Sequence, residues 1–234
     1  MERRKFLESC AALSGAAGLG ALPAAWAAAP PRLYERAQLV DVHGAPLRAG
    51  ALAVETNYVF HYPYAGTPCF LLRLPRPVAA AATLRREDGA AYAWSGGVGP
   101  SRSVVAFSAI CAHKLAYPTR DISFIRYQPQ KSATSDGHVI HCCADHSVYD
   151  PAEGARVVQG PAPQPLAAIL LDYDAASDGL AALGTVGAEQ FDRFFEKYDF
   201  KLGMEYGPGR ARAPVAATTV VRELSQFCRQ TVQC

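Results

Sequence analysis

Cys111-Ala112-His113 and, further along, Cys142-Cys143-Ala144-Asp145-His146-Ser147-Val148-Tyr149-Asp150 are the stretches on which the reading of this chain turns. Each follows a short apolar run of strand character. Val104-Val105-Ala106-Phe107 leads into the first, and Val139-Ile140 into the second. A Cys-x-His on one loop and Cys143-x-x-His146 on another offer two thiolates and two imidazoles. Cys111, His113, Cys143 and His146 are therefore expected to bind metal. A tetrahedral zinc ion accepts such a Cys₂His₂ set. So does a [2Fe–2S] centre with Cys on one iron and His on the other.

Working outward, the same alternation of short apolar runs and turns fills most of the chain. Val59-Phe60, Cys69–Leu74, Ala168–Leu171 and Leu52-Ala53-Val54 read as strands, broken by segments such as Tyr62-Pro63-Tyr64-Ala65-Gly66 and Gly160-Pro161-Ala162-Pro163. With 19 Gly and 17 Pro in 234 residues, an all-β fold of antiparallel sheets is expected over residues 30–187. From Ala188 the character changes. Phe191, Phe194, Phe195 and Tyr198 fall at helical spacing, predicting a short helix whose aromatic stripe docks on the protein's own domain. An extended tail follows to Cys234, with one strand at Thr218–Val221, so 188–234 is a C-terminal extension.

Apolar residues make up 50% of the chain and charged residues 19%, which excludes a disordered or coiled-coil protein. A net charge of +2 gives no argument for a nucleic-acid partner, and outside the N-terminal Arg3-Arg4-Lys5 no Lys/Arg run supplies one locally. Residues 1–29 read as an export signal. Arg3-Arg4-Lys5-Phe6-Leu7 is a twin-arginine element, and an Ala/Gly-rich stretch from Cys10 to Ala29 follows, with small residues around Ala25-Trp26-Ala27 for cleavage. The twin-arginine route carries folded, cofactor-loaded proteins, so the periplasm is the expected location. Retention of the leader as a membrane anchor stays open, because residues 10–29 just reach bilayer-spanning length.

The flanks of the two boxes narrow the metal reading. Ser147-Val148-Tyr149-Asp150, then Gly154 and Gly160-Pro161-Ala162-Pro163-Gln164-Pro165-Leu166, resembles the stretch after the second ligand loop of Rieske iron–sulfur proteins, and Pro118 resembles the proline after their first. Tyr62-Pro63 with Pro68-Cys69, Gly96-Gly97-Val98-Gly99-Pro100 and Leu171–Asp178 resemble, within that family, the small subunit of arsenite oxidase. The likeness spans roughly residues 50–187. It implies a Rieske-type antiparallel β-sandwich with a small cluster-binding subdomain, its loops at about 108–165, and a [2Fe–2S] cluster as cofactor. It implies that Ser147 and Tyr149 hydrogen-bond cluster sulfurs. It implies a periplasmic electron-transfer subunit, not catalytic alone, beside a larger molybdenum-containing redox subunit and a cytochrome or cupredoxin acceptor. The Rieske subunit of a quinol-oxidising cytochrome bc-type complex, or a structural subunit with an altered cluster, is the alternative.

Three departures from that pattern stand out. The bridge that joins the two ligand loops in many Rieske proteins is missing, since the matching positions hold Ala116 and Asp145, or Ala144 in a gapless alignment. The second box reads in two ways. Aligned without a gap on Ser147-x-Tyr149-Asp150, it puts Cys142 and Asp145 in the ligand places. Preserving Cys-x-x-His selects Cys143 and His146, which is preferred because a carboxylate replaces imidazole poorly on an iron–sulfur centre. Residues 119–138 are longer than the usual connection, with Arg120–Tyr127 read as an added strand.

Beyond the boxes, Cys228 and Cys234 are expected to form a tail disulfide, with pairings of Cys69 and Cys142 open. His43, His61, His138 and His141 are expected to serve structural roles. A Rieske oxygenase would need a further iron site with two His and a carboxylate. No His follows residue 187, which argues against it.

Overall fold

The computed structural model describes residues 29–234. The twin-arginine element and the apolar stretch behind it lie outside the described residues.

In chain order the strands are β1 (Arg32–Val40), β2 (Tyr58–His61), β3 (Pro68–Arg73), β4 (Ala81–Arg85), β5 (Ala91–Trp94), β6 (Val104–Ser108), β7 (Ile122–Ser123), β8 (Ile125–Gln128), β9 (Val139–Cys142), β10 (Ser147–Asp150), β11 (Arg156–Gln159), β12 (Ala168–Asp174) and β13 (Gly179–Val186). Helix α1 (Phe191–Tyr206) follows, then β14 (Ala217–Val220), β15 (Arg222–Glu223), the single turn α2 (Leu224–Phe227) and β16 (Gln230–Thr231). The fold is all-β with a C-terminal helix, as expected.

An eight-stranded sheet forms the base, in the order β14-β1-β13-β12-β6-β3-β2-β15. Its centre is apolar on both faces. Phe70, Leu72, Val105 and Phe107 point into one core, while Leu71, Val104, Ala106 and Phe60 point into another. That double burial is why these strands read as unbroken apolar runs rather than alternating ones. The sheet curls until β14 meets β2, where Thr219 Oγ1 donates to the His61 carbonyl at 2.8 Å. On the first core sits a four-stranded sheet, β11-β10-β9-β8, which carries the second ligand loop between β9 and β10.

The stretch read as an added strand forms both β7 and β8. Leu52-Ala53-Val54, by contrast, is not a strand. The chain there leaves a 3-10 turn at Ala49–Ala51 and makes only an isolated bridge from Val54 to Arg73. Glu55, at φ 60°, lies in the left-handed region that ends any extended run.

Helix α1 is the expected C-terminal helix, 16 residues with a break in helical geometry at Tyr198. It buries Phe191, Phe194, Phe195 and Leu202 against Ile110, Leu115, Tyr117 and Ala211. The aromatic stripe thus docks on the protein itself, directly behind the first ligand loop. The tail is not merely extended. It adds β14 parallel to β1, β15 antiparallel to β2 and β16 parallel to β7. It ends in a disulfide between Cys234 and Cys143. The expected Cys228–Cys234 bridge does not form, because β16 carries Cys234 past the second loop while Cys228 stays buried in the core with a free thiol.

Candidate metal centre

Both ligand loops are the same turn. In the first, the Leu115 N–H donates to the Cys111 carbonyl at 3.0 Å. In the second, the His146 N–H donates to the Cys142 carbonyl at 2.7 Å. Leu115 and His146, each four residues after its cysteine, both have φ 59°. The turn closes at its base by Cys111 N–H to Ala116 O in one loop and by the Ser147–Cys142 strand pair in the other. The equivalence makes Cys142, not Cys143, the counterpart of Cys111.

Side chains follow from this backbone. Ligand-competent atoms of Cys111, Cys142 and Asp145 lie within 4.8 Å of one another. Asp145 Oδ2 is 3.4 Å from Cys111 Sγ and 2.8 Å from His113 Nδ1. The Asp145 side chain is almost fully covered, whereas that of His113 is 37% exposed. The group therefore has two buried sulfurs at its base and an imidazole at its mouth.

The local electrostatics are strongly shifted. A hydrogen bond from Cys142, reinforced by Tyr149 and loop N–H groups, pulls the Cys111 thiol down to about 7 against the cost of burial. That same bond to Cys111, with burial, pushes the titration of the Cys142 thiol far up. Burial works to raise Asp145. The Ser147 N–H, the two thiols and His113 outweigh it and hold the carboxyl below its usual range. Thiolate character is what a metal takes from cysteine.

Two hydroxyls border the sulfurs. Tyr149 Oη accepts the Ala112 N–H at 3.1 Å and lies 3.4 Å from Cys111 Sγ, leaving its own proton for that sulfur. Ser147 Oγ is buried with no hydrogen-bond partner. A buried hydroxyl without a partner is costly, so such a group implies an acceptor beside it. Both hydroxyls fit an inorganic cluster whose sulfurs would accept their protons.

The second pair preferred from the sequence is not brought to this point. Cys143 is bonded to Cys234, so its sulfur is not a free thiolate. His146 faces away, its ring 5.8 Å from that of His141. The correction has a simple cause. Successive residues of a strand point to opposite faces. Ile140 and Cys142 go to the core with Cys111, and His141 and Cys143 go to the other side. At the turn Asp145 folds inward, where its Oδ1 accepts the Ser147 N–H at 3.0 Å. The signal was present in the gapless reading of Ser147-x-Tyr149-Asp150. Cys234 as the partner of Cys143 had no sequence signal, being 91 residues away.

No protein-family model matches the chain. Among solved structures it is similar to the soluble domain of the Rieske protein II (soxF) from Sulfolobus acidocaldarius. The identity is 26%, over 65% of this chain and 78% of that one, with a TM-score of 0.48.

Proposed function

We propose that this chain is a single-electron carrier built around a Rieske-type [2Fe–2S] cluster. Cys111 and Cys142 would hold the buried iron, and His113 and Asp145 the outer one. The observation that carries this reading is the convergence of these four side chains beside the partnerless Ser147 hydroxyl. When bound, such a cluster supplies a reversible one-electron couple.

The chain's own residues would tune that couple. Tyr149 and Ser147 would donate hydrogen bonds toward the sulfurs, which stabilises added negative charge. Asp145 works the other way, because a carboxylate brings a charge that imidazole does not. The expected potential therefore lies below that of a two-histidine centre, toward the lower part of the roughly −150 to +300 mV range of the class. His113, exposed at the mouth with Lys114 beside it, offers the short route for an electron to leave.

A second reading has its own support. The ligand atoms already crowd to within a few ångströms, which also suits one tetrahedral ion such as zinc. One sample separates the two. The full chain, exported by the twin-arginine route, is assayed for iron, acid-labile sulfide and zinc, and its dithionite-reduced form is examined by EPR. Two irons and two sulfides with an anisotropic mixed-ligand signal support the cluster. One zinc and no sulfide overturn it.

The export element supports a periplasmic carrier. Its partners would be a larger redox subunit, such as an arsenite-oxidase-like molybdoenzyme, and a cytochrome or cupredoxin. A cytochrome bc-type donor is the alternative. Reduction of the loaded protein by each candidate donor in stopped flow tests the pairing.

A further inference from the structure

We propose that the outer side of the second ligand loop is a separate, thiol-gated site for a thiophilic cation of the Zn²⁺ class. His141, His146, Cys234 and Cys143 would be its ligands. Ring nitrogens of His141 and His146 and the sulfur of Cys234 lie within 4.8 Å of one another, and Cys143 Sγ is bonded to that sulfur. His141 is fully buried, yet neither of its ring nitrogens has a hydrogen-bond partner. An imidazole buried in this way sacrifices hydration at both nitrogens. Within 4.8 Å of one of its ring nitrogens stand a His146 ring nitrogen and the Cys234 sulfur, both of metal-ligand chemistry.

In the disulfide form the set is incomplete, because neither sulfur carries a lone thiolate charge. A dithiol reductant completes it. Two electrons pass from the dithiol to the Cys143–Cys234 bond. That bond breaks, a disulfide forms in the reductant, and its two protons move to Cys143 Sγ and Cys234 Sγ. Binding of the cation then releases both protons as the thiolates coordinate. Two thiolates and two imidazoles make the closed tetrahedral set of a structural zinc site. Arg126 pairs across the sheet with His141 and donates to the Val232 carbonyl and to Gln233, so it adds positive charge beside the two thiolates.

The ion would hold the tail to the loop in place of the disulfide. Because residues 142 and 145 face the first site and residues 141, 143 and 146 face this one, the proposal stands whatever the first site contains.

The test uses the full-length exported protein, with the metal content of the first site recorded beforehand. A phosphine reductant opens the disulfide and is removed. Zn²⁺ is then titrated in, with Co²⁺ as the optical stand-in. The expected result is one additional equivalent bound only after reduction, with Co²⁺ showing thiolate charge transfer and tetrahedral bands. Affinity should fall at least tenfold in Cys234→Ser and in His146→Ala, an exposed position whose replacement spares the core. Cys111→Ser should retain the added equivalent. No added equivalent after reduction overturns the proposal. So does binding that survives both Cys234→Ser and His146→Ala but vanishes in Cys111→Ser, since that assigns the ion to the first site.

Discussion

The two ligand loops share one backbone turn but are held by opposite means. The first, Cys111–Ala116, rests on α1, whose Phe194 and Phe195 pack with Leu115 and Tyr117 in a separate aromatic cluster. Lys197 Nζ also donates to the Lys114 carbonyl at 2.6 Å. The second loop, Cys142–Ser147, joins β9 to β10 and is tied by Cys143–Cys234 to the end of the chain. A bridge from loop to loop would constrain both at once. Here the disulfide ties the second loop to the tail, so the covalent constraint falls on one loop from outside. The difference teaches that one and the same turn is backed by packing in the first case and by a cross-link in the second.

The sharpest way to break the comparison is to exchange the adjacent cysteines. Cys142→Ser is expected to abolish metal binding at the first site, as Cys111→Ser does, while Cys143→Ser retains it and loses only stability. Metal analysis of the three purified variants decides, and loss in Cys143→Ser with retention in Cys142→Ser would invert the assignment. Next in size, Phe194→Ala removes a fully buried ring from behind the first loop and should cost about 3–5 kcal/mol, read by urea denaturation. Cys234→Ser releases the second loop's anchor and should cost about 2–4 kcal/mol. Wild type in reductant should move to the same midpoint, and the tail should become the first site of proteolysis.

A subtler change makes the second loop chemically like the first. Asp145→His replaces an anionic ligand by a neutral one. It should raise the reduction potential on the order of 100 mV, judged from the spread between all-thiolate and two-histidine centres. Protein-film voltammetry reads it, and an unchanged potential would remove Asp145 from the ligand set.

The last effect is absent at neutral pH. His61 lies against Tyr206 of α1 and Phe227 of the tail, so it touches both supports. Burial, with Arg120 and Arg222 nearby, lowers it from 6.5 to about 4. Between those values the unfolded chain binds a proton that the folded chain refuses, so stability falls as pH drops from about 6.5 to about 4 and levels below. Thermal melts across that range should show the slope in wild type and a flatter profile in His61→Phe.

Much of this was legible in the residues. The unbroken apolar runs at Cys69–Leu74 and Val104–Phe107 declared strands buried on both faces, and the stripe from Phe191 to Tyr198 declared a docked helix. That two similar turns would each carry thiol and imidazole groups could be read, because turn chemistry and side-chain type are local properties. The register of the second box could not, because Cys142-Cys143 and Asp145-His146 offer neighbouring residues of similar ligand chemistry. Which neighbour faces inward was decided by the pleat of β9, by the core it covers, and by the Ser147 N–H that draws Asp145 in. The path of the tail was decided in the same non-local way. Strands β14, β15 and β16 find edges left open by elements far away in sequence, and only that pairing brings Cys234 to Cys143.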